Sequence, residues 1–363
     1  MKHSILFSII LLFSISIYSQ EYDFKTIIDL DATDVISQGN TGTCWSFSTS
    51  SFLESEIMRL TGKQIDLSEM YTVRQTYPKK AWNYIMRQGK AQFSEGGLAH
   101  DVLNSVADHG LVPVSAYSGL KNGAKKHNHS KMVKDIKEVL IAYIKESKTD
   151  WRQETNAILD EALGKNITTF TYEGVEYTPL SFLEMTKIKT EDYVNLTSFT
   201  HKPLYSNFIL NIPDNFSNGS FDNVSLDELI GTIDNALKNG YTVELDCDVS
   251  EKTFSAKNSI AIVPHNVSEN ERALKNTVKE LYITPELRQQ EFENYNTTDD
   301  HLMHITGLVK DQNGTKYYKV KNSWGKIGNG GYIYMSEAYM RLKTISITVH
   351  KDALKPALAK KLN

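Results

Sequence analysis

Cysteine is scarce in this sequence, which contains only Cys44 and Cys247 among its 363 residues. Two cysteines allow one bridge at most, so no disulfide framework holds the fold, although a single Cys44–Cys247 bridge is possible. A structural zinc site is disfavoured because neither cysteine has a second cysteine or a histidine at ligand spacing. The function of Cys44 therefore has to follow from the residues around it.

An excess of charge is also missing, because 40 basic and 44 acidic side chains leave a formal net charge of -4. So small a charge creates no global field that would attract nucleic acid or an anionic membrane. Six lysines lie between positions 121 and 137, a run that is more typical of a solvated face than of a nucleic-acid contact. We therefore expect no nucleic-acid partner, and we expect His127 and His129 in this run to face solvent.

The one long apolar run, SILFSIILLFSISIY at positions 4–18, lies at the N-terminus. It is shorter than the roughly 18 to 20 residues that a membrane span needs, and Ser19 is small enough to precede a cleavage site. The run predicts a signal peptide over 1–19 and a mature start at Gln20, hence a secreted or periplasmic protein without membrane contact after cleavage. An uncleaved anchor is the alternative, because Ile17 fits the small-x-small pattern poorly.

Helical periodicity dominates the first part of the chain. Leu53, Ile57 and Leu60 recur at helical spacing, which predicts a helix that begins at Cys44 and stops at Gly62. The serines that follow Cys44 are then the small-residue face of a buried helix rather than a flexible linker. Similar apolar faces predict two further helices, over 98–109 and 225–240.

Strand signals dominate the last part. Alternation in YTVELDCDV, at 241–249, predicts a strand in which Cys247 is a core thiol. Four more strand-like segments follow after position 300, and a DQNG turn joins the first two. Helices first and strands last indicate an α+β fold with a mainly antiparallel sheet.

Changes in composition predict how the chain is divided. The segment 119–224 begins with a basic, glycine-containing stretch and continues with mixed polar segments, which indicates an inserted subdomain. The full division is a signal peptide (1–19), a helical half (20–118), the insertion (119–224), a β-rich half (225–350) with a charged excursion at 266–298, and a C-terminal tail (351–363).

The surroundings of Cys44 are those of a nucleophile. A cysteine at a helix N-terminus has a lowered thiol pKa, because unpaired backbone N–H groups and the helix dipole favour negative charge there. Gly39 and Gly42 allow a tight turn that can aim backbone N–H groups at a developing oxyanion, and Gln38 can add a side-chain amide donor. These residues predict half of an acyl-transfer site.

The other half is a base and a group that orients it. His301 begins one predicted strand and Asn322 ends the next, so antiparallel pairing across the DQNG turn brings the two side chains to one sheet end. Strand alternation turns His304 to the opposite face, which makes it a core or surface residue. We expect His100 and His109 to lie on a helix surface.

Four short motifs occur in a fixed order: QGNTGTCWSF at 38–47, DH at 300–301, a glycine at 307 and NSWG at 322–325. Together they resemble the papain-like cysteine peptidases. The resemblance implies a fold of two subdomains, peptide substrates and no metal or organic cofactor. It assigns Cys44 as the nucleophile, His301 as general base and then acid, Asn322 as the group that orients His301, Gln38 as an oxyanion donor, and Trp324 as a shield for the His–Asn hydrogen bond.

The segment EGGLAHDVLNSVADHGLVPVSAYSG, at 95–119, is similar to the part of that family that carries substrate-binding glycines. Gly96 and Gly97 would offer backbone groups to an extended peptide, which pairs with them as an added strand. The alternatives are purely structural roles: a turn residue for Gln38, a strand-end cap for Asn322 and core packing for Trp324.

Within the family, the chain resembles the bleomycin hydrolase and aminopeptidase C branch. Only 24 residues (20–43) separate the predicted cleavage point from Cys44, which leaves no room for a long inhibitory pro-segment. The likeness extends through TPLSFLEM, at 178–185, and GYTVELDCDVSEKTF, at 240–254. It implies a homo-hexamer with inward-facing sites, in which a C-terminal arm restricts cleavage to the amino end of a peptide.

The C-terminal tail departs from that branch, because ALKPALAKKL at 353–362 predicts a short helix rather than a long reach into the cleft. An exported aminopeptidase is the expected function. An endopeptidase is the alternative if the carboxylate of Asn363 does not anchor the amino end of the substrate.

A scaffold protein with an inactive site is disfavoured because every catalytic position holds a competent residue. A transglutaminase or amidase is disfavoured by the Gln38–Cys44 spacing and the NSWG run.

Overall fold

The computed structural model describes residues 21–121, 123–147 and 150–362. The predicted signal peptide and Asn363 lie outside these residues. Within them, no helix combines the length and the apolar character that crossing a membrane requires.

Helices account for most of the first half of the described chain. They are α1 Cys44–Thr61, α2 Glu69–Met86, α3 Ala99–His109, α4 Ser130–Glu146, α5 Trp151–Ala162, α6 Pro179–Thr186, α7 Leu226–Lys238, α8 Asn270–Ala273, α9 Pro285–Glu293, α10 Glu337–Lys343 and α11 Pro356–Leu362. The helices predicted over 44–61, 98–109 and 225–240 all form, and the excursion at 266–298 contains α8 and α9.

Helix α1 is the central helix of the molecule. It ends at Gly62, whose left-handed backbone conformation (φ 71°) closes the last turn through its N–H and the carbonyl of Met58. Every residue from Cys44 to Ile57 is buried. Its serines are contact points: the Ser51 hydroxyl, for example, lies 2.9 Å from Nδ1 of His304 on the sheet. The serine-rich run is therefore a packed helix, as the apolar spacing predicts.

Most of the strands lie in the second half. The strands are β1 Lys25–Asp29, β2 Phe170–Tyr172, β3 Val175–Tyr177, β4 Tyr193–Thr197, β5 Asn207–Ile209, β6 Ser220–Asn223, β7 Val243–Cys247, β8 Phe254–Ser255, β9 Ile260–Ala261, β10 His301–Lys310, β11 Lys316–Lys321, β12 Tyr332–Ser336 and β13 Thr344–His350.

The main sheet has the order β5-β6-β4-β13-β7-β10-β11-β12-β9-β8, and β1 pairs with the far end of β10. Its pairs are antiparallel except β4 with β6 and β9 with β12. The α+β prediction is confirmed. Cys247 is fully buried in the core of this half, as the alternation of β7 predicts.

Two large hydrophobic cores lie on either side of the α1–sheet contact. One is formed by α1 to α6 and contains Trp45, Phe52 and Phe182. The other lies between the sheet and the helices α7, α10 and α11. The segment 119–224 contributes α4 to α6 to the first core, and its strands β4 and β6 extend the main sheet beside β13. It thus packs into both halves instead of enclosing a separate core.

Two histidine expectations are wrong. His129 is only 2% exposed and His127 is half-buried, because their loop packs against the turn before Cys44, where Asn40 N–H donates to the His127 carbonyl at 2.9 Å. Burial lowers the pKa of His129 to about 4. His100 is also buried, and its Nε2 lies 2.9 Å from the Ser217 hydroxyl.

Candidate active site

Cys44 is the first residue of α1 and is 8% exposed. Thr43, the residue before the helix, forms no side-chain cap, so the first N–H groups of α1 have no partner from that side chain. The backbone N–H of Leu302, on β10, donates to the Cys44 sulfur. The thiol therefore lies where the central helix meets the beginning of a sheet strand. Both cysteines are free, so the possible Cys44–Cys247 bridge does not form.

The electrostatics of Cys44 differ from the sequence-based expectation. Burial raises the pKa of the thiol to about 12, and the nearby carboxylates of Asp299, Asp214 and Asp246 add to the rise, against the Leu302 N–H, which lowers it. A lowered pKa was expected from the helix N-terminus alone, but desolvation and negative neighbours outweigh that effect. The thiol is protonated at neutral pH and needs a base.

His301, the neighbour of Leu302 in the chain, is the candidate for that base. Its Nε2 donates to Asn322 Oδ1 at 2.8 Å, and the same oxygen accepts the N–H of Ser323 at 2.7 Å, which fixes it as an acceptor. A proton on Nε2 leaves the lone pair on Nδ1. Burial lowers the pKa of His301 to about 4, so the imidazole is neutral at pH 7 and can accept a proton.

The sheet brings these residues together. His301 begins β10, β11 ends at Lys321, and the antiparallel register places His304 opposite Lys321, so Asn322 lies beside the start of β10. The Trp324 ring lies over the imidazole, with its centroid 4.7 Å from that of His301. The pairing across the turn thus produces the His–Asn contact that the sequence predicts.

Gln38 is anchored to the same corner. Its Oε1 accepts the Ser323 hydroxyl at 2.6 Å, and its Nε2 donates to the Thr41 carbonyl at 2.6 Å. An amide nitrogen carries two hydrogens, so one remains for an oxyanion. The Gly42 N–H is occupied, because it donates to Glu95 Oε2 at 2.6 Å. Gly42 therefore does not supply the oxyanion donor that its place in the turn suggested.

The two predicted substrate-binding glycines lie in different surroundings. A Cβ on Gly97 would lie 3.1 Å from the indole of Trp45, next to Cys44 in the chain. A Cβ on Gly96 would lie 1.8 Å from Oδ2 of Asp214, and the Gly96 carbonyl accepts a hydrogen bond from Lys80 Nζ. One face of Gly96 is thus covered by a side chain from the segment 119–224.

Sequence reasoning missed the carboxylates of Asp214, Asp246 and Asp299 near Cys44. Two of them carried a local signal: Asp246 lies between Leu245 and Cys247 and therefore faces the other side of β7, and Asp299 is two residues before His301. No local pattern indicates that Asp214 reaches the site.

A second cluster of carboxylates could hold a cation. Oxygen atoms of Glu54, Asp66 and Glu69 lie within 4.8 Å of one another. Burial raises the pKa of Glu54 to about 7, and the charge of Lys321 opposes the rise. The Glu54 carboxylate also accepts the N–H of Leu67 at 2.8 Å. These contacts join α1 to the sheet and to the residues before α2.

A buried cysteine at a helix start, with a histidine–asparagine pair at an adjoining sheet corner, defines a cysteine-type peptidase site. A family model described as "Peptidase C1-like family" matches residues 84–363, and the chain belongs to that family. The matched range includes His301 and Asn322 and begins after Cys44. The papain-like resemblance is confirmed.

Individual relatives are distant but cover most of the chain. Aminopeptidase C of Listeria monocytogenes is 24% identical over 92% of this chain and 83% of its own length. The mitochondrial cysteine proteinase 1 of Saccharomyces cerevisiae is 23% identical over 93% of this chain and 79% of its own. The crystal structure of PepW from Lactobacillus rhamnosis matches with a TM-score of 0.71 at 18% identity, covering 93% of this chain and 84% of that one, which shows a shared fold.

Proposed function

We propose that this protein is an exported cysteine aminopeptidase of the bleomycin hydrolase type, which removes residues from the amino end of peptides. The observation that carries the proposal is the 2.8 Å contact between His301 Nε2 and Asn322 Oδ1, in a buried corner where the sulfur of Cys44 meets β10. The aminopeptidase C relatives support the choice of substrate end.

In the proposed mechanism, the Cys44 thiol transfers its proton to Nδ1 of His301 as the sulfur attacks the scissile carbonyl carbon. The carbonyl oxygen becomes an oxyanion, which the Cys44 N–H and Gln38 Nε2 stabilise. The tetrahedral intermediate collapses, the C–N bond breaks, and the imidazolium gives its proton to the leaving amine. A thioester between Cys44 and the acyl part of the substrate remains.

Hydrolysis of the thioester uses the same groups in reverse. His301 Nδ1 takes a proton from water, the resulting hydroxide attacks the acyl carbon, and the C–S bond breaks. The proton returns to the sulfur and the carboxylic acid product leaves. Asn322 holds the imidazole in one tautomer through both steps, and the Trp324 ring limits water access to that hydrogen bond.

An endopeptidase is the second candidate, and the described part of the C-terminal tail favours it. Leu358 of α11 is buried against the core beside α7, and Lys361 Nζ donates to Glu228 Oε1 at 2.8 Å. The tail therefore packs on α7, as a short helix, up to Leu362. If a C-terminal carboxylate does not close the cleft, another feature has to do so in an aminopeptidase.

The proposal is tested with the pair Cys44→Ser and Cys247→Ser and with fluorogenic peptides. Cys44→Ser should abolish turnover, whereas Cys247→Ser, which changes a core thiol, should retain it. Peptide mapping after treatment with an epoxide thiol reagent should find the adduct on Cys44. Turnover by Cys44→Ser, or an adduct on Cys247 alone, would contradict the mechanism.

Export and assembly are further parts of the proposal. The apolar run at 4–18 supports export, and N-terminal sequencing of the protein recovered from its host should then find Gln20 first. The likeness to the bleomycin hydrolase branch supports a homo-hexamer, which light scattering after size exclusion tests. A protein that begins at Met1, or one that elutes as a monomer, would contradict these two parts.

A further inference from the structure

Asp214, which belongs to the segment 119–224, lies on the face of Gly96, and its charge helps to raise the pKa of the Cys44 thiol. Two hydrogen bonds hold the Asp214 side chain in place, because its Oδ1 accepts from Gln92 Nε2 at 2.8 Å and from the Ser94 hydroxyl at 3.4 Å. The first residue of a peptide bound beside Gly96 would meet this carboxylate with its α-ammonium group.

Two further carboxylates meet beside Asp214. Asp246 lies on β7 directly opposite Leu302, the residue whose N–H donates to Cys44. Asp299 lies just before β10, within hydrogen-bonding reach of the Asp246 carboxylate, and it accepts the backbone N–H of Asp214. Three separate segments thus direct acidic groups to one point near the nucleophile.

This pair of carboxylates has unused acceptors. Asp246 is 1% exposed. Apart from the hydrogen bond between the two carboxyls, neither Asp246 Oδ1 nor the buried Oδ2 atom of Asp299 has a hydrogen-bond partner among the described residues. Asp246 Oδ2 accepts the Ser346 hydroxyl at 3.4 Å. Buried acceptors without donors are costly, which indicates that a donor arrives with a ligand.

The two carboxyls share a hydrogen bond with each other and lack a cationic partner among the described residues. In the part of the chain that the structure describes, neither Asp246 nor Asp299 forms an ion pair with a lysine or arginine. Burial and the charge of Asp299 hold the pKa of the Asp246 carboxyl well above its usual range. Burial and the charge of Asp214 raise the pKa of Asp299 to about 7, against the hydrogen bond from Asp246, which lowers it. Lys80 is the nearby cation, and its charge opposes the raised pKa of Asp214 while its Nζ is held by the Gly96 carbonyl. A cationic ligand would satisfy Asp246 and Asp299 together.

We propose that Asp214, Asp246 and Asp299 form an anionic pocket that binds the α-ammonium group of the first residue of a peptide substrate. The described residues of the C-terminal tail pack on α7. The inference rests on the proposed peptidase function and adds the residues that choose the amino end.

The chemistry favours an ammonium group over an internal amide. The α-ammonium of the first residue is separated from the scissile carbonyl by a single Cα, so it reaches the carboxylates that surround Cys44. It offers three N–H donors and a positive charge, whereas an internal or acetylated nitrogen offers one neutral donor. An amide would leave buried carboxylates unpaired, and such a loss discriminates strongly between ligands.

The test uses the full-length enzyme and aminoacyl-coumarin substrates in three forms: a free amino end, the same residue acetylated, and an acetylated dipeptide with lysine or arginine in second place from the bond cleaved. The variants are Asp246→Asn and Asp299→Asn, which keep the shape of each side chain. The matched control is Asp222→Asn, which changes a carboxylate on β6 whose side-chain partner, among the described residues, is Asn207.

We expect the wild type and the control to prefer the free amino end. Asp246→Asn and Asp299→Asn should each lower kcat/KM for that substrate by about 10- to 100-fold, mainly through KM, and leave the acetylated form unchanged or improved. Equal losses on free and acetylated substrates would overturn the proposal. A preference for the acetylated basic dipeptide would overturn it too, because the pocket would then bind a lysine or arginine side chain of the substrate instead of its α-ammonium group.

Two further measurements distinguish loss of folding from loss of ligand binding. Alkylation of Cys44 and thermal unfolding report whether each variant is folded. Calorimetric binding of a free and an acetylated dipeptide to Cys44→Ser tests the pocket without turnover, and equal affinity would overturn the inference. If the wild type cleaves acetylated peptides as well as free ones, the pocket and the choice of the amino end fail, but the Cys44 peptidase mechanism stands. If the wild type has no Cys44-dependent turnover, the mechanism fails as well.

Discussion

At the scale of single residues, burial controls the chemistry of the site. It raises the pKa of Cys44 to about 12 and lowers that of His301 to about 4, so both groups are neutral at pH 7. In the proposed mechanism, proton transfer from sulfur to imidazole therefore accompanies attack on the substrate, and no thiolate–imidazolium pair exists beforehand. The neutral state of His301 depends on the side chains that shield its imidazole from water, the Trp324 ring among them.

Trp324→Ala should move the acid limb of the pH–rate profile upward. Desolvation is the cause of the low pKa of His301, and removing the ring 4.7 Å away readmits water, so this pKa should rise towards its usual value near 6.5. Because imidazolium cannot accept the thiol proton, activity between about pH 4 and 6 should fall. The measurement is kcat/KM against pH, with Trp82→Ala, an exposed tryptophan, as the control.

Two substitutions of Asn322 distinguish its role in orienting the His301 ring from the effect of a negative charge at the same position. Asn322→Ala removes the acceptor of Nε2, which should lower kcat/KM roughly 10- to 100-fold, a typical cost of losing a group that orients a histidine. Asn322→Asp keeps an acceptor and should restore most of that loss. Its negative charge favours the imidazolium, so the pKa of His301 and the acid limb should rise. Equal activity of the two variants would contradict an orienting role.

At the scale of elements, the site lies where α1, β10 and the loop around Gly96 meet. The hydrogen bond from Trp45 Nε1 to the Glu95 carbonyl, at 2.9 Å, joins that loop to the start of α1. The position of Asp214 then depends on a side chain being absent at Gly96, because any Cβ there would occupy its space. Adding a single methyl group at Gly96 therefore tests whether the position of the Asp214 side chain matters for substrate binding.

Gly96→Ala should displace the Asp214 side chain, since the added Cβ would lie 1.8 Å from Oδ2. We expect the preference for a free amino end to fall severalfold, with only a small effect on the unfolding temperature. The measurement is the ratio of kcat/KM for free and acetylated substrates. Gly231→Ala in α7, where a Cβ meets nothing closer than Lys355 Nζ at 3.7 Å, should leave the ratio unchanged.

At the scale of the whole molecule, buried polar groups join the two halves. Glu244 on β7 is 1% exposed, accepts the Ser48 hydroxyl of α1 at 3.3 Å and lies opposite His304 in the sheet. Burial raises the pKa of Glu244 to about 8. The contact between helix and sheet is thus sensitive to the protonation of this carboxyl.

Glu244→Gln should stabilise the protein at high pH. The folded-state pKa lies above the unfolded value, so the stabilising contribution of Glu244 is complete below about pH 4.5 and is lost as pH rises through about 8. Relative to wild type, the variant should gain roughly 2 to 5 kcal/mol between pH 5 and 9. Urea unfolding at both pH values measures the difference, with Glu176→Gln on exposed β3 as control; a constant difference would contradict the raised pKa.

Local patterns in the sequence predict part of this structure. The helix from Cys44 to Thr61 and the His301–Asn322 contact follow from periodicity and from pairing across one turn, both of which act over short separations. Burial of His129 could not be predicted, because it depends on a turn some 90 residues earlier. The meeting of Asp214, Asp246 and Asp299 depends likewise on tertiary packing of three segments.

The central claim is that Cys44 cleaves peptides at their amino end. The most direct measurement follows the products from a short, unmodified peptide of mixed sequence by mass spectrometry over time. The account predicts stepwise loss of residues from the amino end by the wild type and an unchanged peptide with Cys44→Ser. Internal fragments as the first products, or the same products from Cys44→Ser, would contradict it.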